Sequence, residues 1–324
     1  MPLPQHALVA LWGGARRTIP PRSTLSQLRP VLKPGIVVVL AVSIGYALAS
    51  GWNDLKQVDW RFEPVPLGVA FVSLFIQVCL VAPLWVMLCR GLGGAIPMRL
   101  GIRAHLLANL GKYLPGKVLH AVALVAMARE AGVASAVGVT SILLEVLLTV
   151  IGAGLVALFG LAVTMSDQRW AITSLAVVSL GAALVILHPR VLSFVLAAAA
   201  RFVPAARGHL ERVELPYATM LTLLGLYVAS WALVALGLFA TAAAVHPLAP
   251  ELFVGLTGIT AFGYLVGLAV PFAPAGVGAR EGTTAFLLST VLGVPLPAAA
   301  AVSVLARFIA ILAEMTAALV ASRL

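Results

Sequence analysis

Charge is what this chain has least of. Only 10% of its 324 residues are Asp, Glu, Lys or Arg, while 62% are hydrophobic and the mean hydropathy is +1.09. A soluble domain of this length cannot be built with so little polar surface, so a soluble globular fold is excluded. Acidic residues are scarcer than basic ones, 11 against 21, which leaves a net charge of +10. That excess suits anionic lipid headgroups. It does not suit nucleic acid, because the basic residues lie between hydrophobic runs and not on one soluble face. Cysteine is rare as well. Cys79 and Cys89 share one apolar segment and read as packing residues, with no disulfide framework. The alternating ten-residue strands of a membrane β-barrel are missing. So are a Walker motif, a nucleophile elbow and a His-Glu-x-x-His pair. The chain is therefore not expected to be an enzyme or to need a cofactor.

Long apolar runs fill the sequence instead. They predict an all-α, polytopic helical membrane protein with about eight hydrophobic crossings. The crossings fall at 34–52, 67–88, 133–163, 171–187, 217–245, 252–270, 283–294 and 298–321, the seventh being short. Residues 191–200 suit a short interfacial helix. Residues 1–33 are basic and lack a cleavage pattern, and read as a retained cytoplasmic tail before a single transmembrane domain at 34–324. Arg16, Arg17, Arg22, Arg29 and Lys33 hold the N-terminus inside, and Arg323 does the same for the C-terminus. The expected location is the cell membrane, multi-pass.

Two Gly/Pro breaks interrupt this pattern. The first is Gly111-Lys112-Tyr113-Leu114-Pro115-Gly116-Lys117, set between the apolar pieces 101–110 and 118–128. Neither piece can cross about 30 Å of hydrocarbon at about 1.5 Å per residue. A re-entrant hairpin and a pair of helices lying flat at the interface both fit, and the break favours the hairpin. The second is Pro271-Phe272-Ala273-Pro274-Ala275-Gly276-Val277-Gly278-Ala279-Arg280-Glu281-Gly282. Prolines and glycines interrupt a helix. In hydrocarbon, unwound backbone survives only where it is buried in protein or lines a wet cavity. By residue chemistry alone a cytoplasmic loop fits as well as a functional break. Transporters do use broken helices to build midplane sites.

Three charges lie inside predicted spans. Glu145 sits about twelve residues into its run, with Ser141 and Thr149 on the same face. Arg307 and Glu314 are seven residues apart on one face of the last run. A charge at mid-membrane costs about 3 kcal/mol on insertion scales, so each needs a partner or a cavity. One reading is an internal clamp, Glu145 paired with Arg307 or Arg280. The other is a polar groove able to hold a headgroup or move protons, and the convergence of several charges with two breaks leans that way. His105, Asn109 and Lys112 are spaced for one helix face, but no carboxylate or cysteine cluster joins them, so a metal site has little support. His120 reads as packing or capping.

The two breaks also carry a family resemblance. The stretch Gly111 to Lys117, followed by Val118 and then Ala128-Arg129-Glu130-Ala131-Gly132-Val133, resembles a G-[KR]-Y-[LI]-P-G-K motif and nearby Arg-x-x-Gly segment. Pro274-Ala275-Gly276-Val277-Gly278-Ala279-Arg280-Glu281-Gly282 is similar to a late P-x-G-[LIV]-G-x-R-E-G signature. Both belong to the lysylphosphatidylglycerol synthase transmembrane-region family, also called the flippase-like domain family. Arg307 looks like that family's recurrent arginine in the last span. One feature departs: the family often has Glu-Arg-x-x-Asp where this chain has Glu145, Val146 and Thr149. A buried Glu-Arg-Asp network is therefore not expected.

The resemblance implies a stand-alone, flippase-like lipid transport module without the synthase domain. Its cargo would be an anionic phospholipid or a polyprenyl-phosphate-linked lipid. Lys112, Lys117, Arg280 and Arg307 would bind the lipid phosphate. Tyr113, Pro115, Gly116, Glu145, Gly276, Gly278, Glu281 and Glu314 would shape the groove and hold the cations. The alternative is a non-transporting scaffold for a separate cytosolic lipid synthase or glycosyltransferase. A homo-oligomer is compatible with either.

Overall fold

The computed structural model describes residues 63–113, 118–165, 169–199, 215–246, 248–270 and 273–323. The expected crossing at 34–52, the basic tail, the predicted groove residues Pro115 and Gly116 and the predicted phosphate-binding Lys117 lie outside them. Among the described residues there is no strand, and ten α-helices follow one another. They are α1 (Pro64–Gly91), α2 (Met98–Asn109), α3 (Val118–Glu130), α4 (Ser135–Thr164), α5 (Arg169–Leu187), α6 (Pro189–Ala199), α7 (Tyr217–Ala243), α8 (Phe253–Ala269), α9 (Ala279–Leu292) and α10 (Leu296–Ser322).

Among the described residues, six helical stretches are long and apolar enough to cross a membrane: Pro64–Gly91, Ser135–Thr164, Trp170–Leu187, Tyr217–Ala243, Pro250–Ala269 and Leu296–Ser322. The expected crossing at 283–294 is the 14-residue α9, which spans about 21 Å. It begins at Ala279, earlier than the apolar run suggested. The Glu281 carboxylate accepts a 2.6 Å hydrogen bond from the Gly278 backbone N–H, which fixes the helix start there. Arg280 and Glu281 therefore occupy the first helical turn and not the unwound segment. At its other end α9 stops at Gly293, which adopts a left-handed φ of 70°.

Backbone polar groups are satisfied inside the helices, and buried hydroxyls turn back onto the helix that carries them. Thr140, Ser230, Thr241 and Ser303 each donate to a carbonyl three or four residues earlier. Polar side chains can thus be carried through an apolar layer without outside partners.

Small residues let the helices approach closely. At the α4–α8 crossing, a Cβ added to Gly160 would lie 2.5 Å from the backbone nitrogen of Gly258. This is the small-residue contact through which membrane helices pack. The main core gathers Trp85, Leu88, Leu144, Leu148, Met220 and Leu223 from α1, α4 and α7.

The short pieces α2 and α3 pack on each other, and α2 also packs against α1 and α10. Gly101, Ala104, His105, Leu106 and Ala108 of α2 are buried. A tight 3-10 turn, Leu110–Tyr113, continues α2 into the first Gly/Pro break. A second such turn, Pro274–Gly276, lies within the second break. The two turns, more than 150 positions apart in sequence, touch each other.

Candidate functional site

The second break holds a strained backbone. Ala275 has a left-handed φ of 49°, and Gly276 and Gly278 have φ of 73° and 84°. Gly276 also lies flat against α8: a Cβ there would sit 2.8 Å from the Cα of Gly267. Only glycine combines that φ with that approach. The strain at Ala275 is held by Arg307 of α10, whose Nη2 donates to the Ala275 carbonyl at 2.9 Å. Arg307 also faces Glu281, with Nε 3.3 Å from Oε1. At that angle the two attract as ions without forming a hydrogen bond.

The first break is fastened to the same helix. Lys112 donates to Glu314 Oε1 at 2.7 Å, and the Tyr113 hydroxyl donates to Glu314 Oε2 at 2.7 Å. One carboxylate of α10 thus binds two neighbouring side chains of the turn. The guanidinium of Arg307 lies 5.6 Å from the centre of the Tyr113 ring, within cation–π range.

Beside these contacts lies a cavity of about 350 Å³. Lys112, Arg280, Arg307, Glu145 and Glu314 all contribute to its wall. Arg280 differs from the other two cations. Among the described residues no carboxylate lies within ion-pair distance of it. Its guanidinium rests 5.6 Å from the centre of the Tyr264 ring. A ring face holds a cation in place without neutralising it.

Glu145 does not pair with Arg307 or Arg280, as a simple clamp would require. Its Oε1 lies 2.8 Å from His105 Nε2, and both side chains are about nine-tenths buried. The reason is the α2–α3 hairpin, which carries His105 into the bundle opposite α4. His120 of α3 stands edge-on to His105, with ring centres 6.0 Å apart. Ser141, one turn before Glu145, accepts a 3.0 Å hydrogen bond from the Trp85 indole. Thr149, on the same face, also reaches the cavity wall.

Most predicted site residues therefore converge. Lys112, Tyr113, Gly276, Gly278, Arg280, Glu281, Arg307 and Glu314 sit at the meeting point of the two breaks, with Glu145 on the cavity wall. His105 and His120 are functional candidates that sequence reasoning undervalued. No group of three or more His, Cys, Asp or Glu suited to a metal occurs among the described residues. Tyr227, Trp231 and Tyr264 also line the cavity without having been singled out. Their signal was an aromatic ring with a polar handle inside an apolar span, where such a group needs a partner or water.

No curated protein and no solved structure matches the chain. Residues 33–317 do match a known family, described as Lysylphosphatidylglycerol synthase TM region. That match covers all the described helices up to the last turns of α10 and both Gly/Pro breaks. The chain is a multi-pass helical membrane protein of the lysylphosphatidylglycerol synthase transmembrane-region family.

Proposed function

We propose that this protein is a flippase-like lipid translocase, without enzymatic activity, in the cell membrane. It passes the headgroup of an anionic phospholipid or polyprenyl-phosphate-linked lipid through the cavity, while the acyl chains stay in the bilayer. One observation carries this reading: Arg280 faces the cavity with no carboxylate among the described residues within ion-pair distance. A guanidinium kept in that state inside a membrane protein calls for an anion, and it binds phosphate through paired hydrogen bonds. Its place in the first turn of α9 adds the partial positive charge of a helix N-terminus. Lys112 and Arg307 supply further positive charge, held in reserve by Glu314 and Glu281. The packing of α2 against α1 and α10 supports a re-entrant hairpin over 101–128.

The test is native mass spectrometry of the gently extracted protein beside Arg280→Ala, followed by lipid movement in liposomes. The wild type should retain a specific phosphate-bearing lipid that the variant loses, and the variant should still insert but not move lipid. A mixed lipid coat that is the same on both proteins, with equal flip rates, would overturn the reading and favour a scaffold for a cytosolic enzyme.

A further inference from the structure

The cavity is electrically balanced before any lipid enters. Among the described residues, Lys112, Arg280 and Arg307 on the wall stand against Glu145 and Glu314 on the wall and Glu281 paired with Arg307 just behind it, when His105 is neutral. Two of the carboxylates are committed to cations, Glu314 to Lys112 and Glu281 to Arg307. Glu145 is not. It faces an imidazole, so the His105–Glu145 pair carries one negative charge without a proton and none with one.

The groups around the pair do not offset this charge. His105 Nδ1 and His120 Nδ1 are both buried without a hydrogen-bond partner among the described residues. From α7 the Tyr227 hydroxyl lies beside Glu145, where it is a neutral donor that leaves the carboxylate charge in place, and from α8 Tyr264 faces the same cavity. From α1 the neighbour is the Trp85 indole, 5.8 Å from His105 and committed to Ser141. The cations on this wall are Lys112 from the first turn, Arg280 from α9 and Arg307 from α10. A phosphodiester bound at Arg280 would add a negative charge to a cavity that already balances. In a site of low dielectric an uncompensated charge is costly.

Resting on the lipid-translocase reading, we infer that the His105–Glu145 pair is a proton-binding site that takes up one proton for each phosphate-bearing headgroup entering the cavity. The two groups hydrogen-bond directly at 2.8 Å, so a proton taken up there is shared by the pair. Uptake restores neutrality while the anion is bound, and release follows when it leaves. By linkage, protons favour the anion and the anion favours protons. Anion affinity therefore falls as pH rises, by at most about tenfold per pH unit.

The test is calorimetric titration of the whole purified protein with a short-chain phosphatidylglycerol, whose phosphodiester keeps one fixed charge across the imidazole range. The titration is repeated in two buffers of different protonation enthalpy. The expected result is uptake of about one proton per bound lipid, together with weaker binding at pH 8 than at pH 6. Glu145→Gln keeps an acceptor for the His105 N–H and mimics the protonated pair. It should take up no proton, and it should bind at pH 8 as tightly as the wild type does at pH 6. Binding with the same heat in both buffers would overturn the proton site and leave the lipid reading standing, as would Glu145→Gln still taking up a proton. No binding at any pH would remove both. Should the variant fail to fold, the wild-type comparison of buffers decides alone.

Discussion

Arg307 does two jobs with one side chain. It neutralises Glu281 and holds the carbonyl of a backbone that would otherwise relax. Both side chains are about nine-tenths buried, so removing the cation leaves the carboxylate without its ion-pair partner. Arg307→Leu should therefore lower stability by about 3 kcal/mol, the usual cost of breaking a buried pair from one side. The measurement is the midpoint of thermal unfolding in detergent. Arg307→Lys keeps the charge but loses the planar fork that reaches Ala275, and should fall between. An unchanged midpoint in both variants would show that neither contact matters to the fold. Sequence reasoning had placed Arg307, Glu281 and Glu314 in one groove. It could not see that Glu145 meets His105, because forty residues and two turns of chain separate them. Nothing local encodes that contact, which depends on how the α2–α3 hairpin enters the bundle.

The helices were the most legible part of the chain at the scale of elements. Long apolar runs leave a spanning helix little choice, and α1, α4, α7 and α10 fall within a few residues of the runs that predict them. The start of α9 was less legible, because it depends on a cap made by Glu281 and not on hydropathy. The α4–α8 crossing was not legible at all, since a glycine in an apolar run looks alike whether it faces lipid or another helix. Its geometry makes a firm expectation. Gly160→Val would drive two methyl groups into the backbone of Gly258. The helices must then separate, at a cost of about 1–3 kcal/mol. Loss of a monodisperse peak in size-exclusion chromatography, or a lower unfolding midpoint, would register it. Gly154 has open space around it, so Gly154→Ala is the matched control and should behave as wild type.

Among the described residues, most charges lie near helix ends or gather around one internal cavity. From the distribution of basic residues we expect the C-terminal end, with Arg323, on the cytoplasmic side. A protease site added after Leu324 should be cut only in inside-out vesicles. Cutting in right-side-out vesicles would reverse the orientation of the bundle and move both breaks to the outer face. The fold class and the meeting of the two breaks thus have different origins in the sequence. Hydropathy dictates the first, residue by residue. The second arises only once distant segments pack.

One feature constrains how this chain can vary. Arg307 and Glu314 stand seven positions apart on α10, each fastened to a different turn. Seven positions are close to two helical turns, so both side chains project from one face. A deletion or insertion of one residue between them would rotate one fastener by about 100° relative to the other. Both contacts could not then be kept, however well the altered helix still crossed the membrane. The interval from 307 to 314 therefore works as a gauge of fixed length, free to change in the identity of its lipid-facing residues but not in their number.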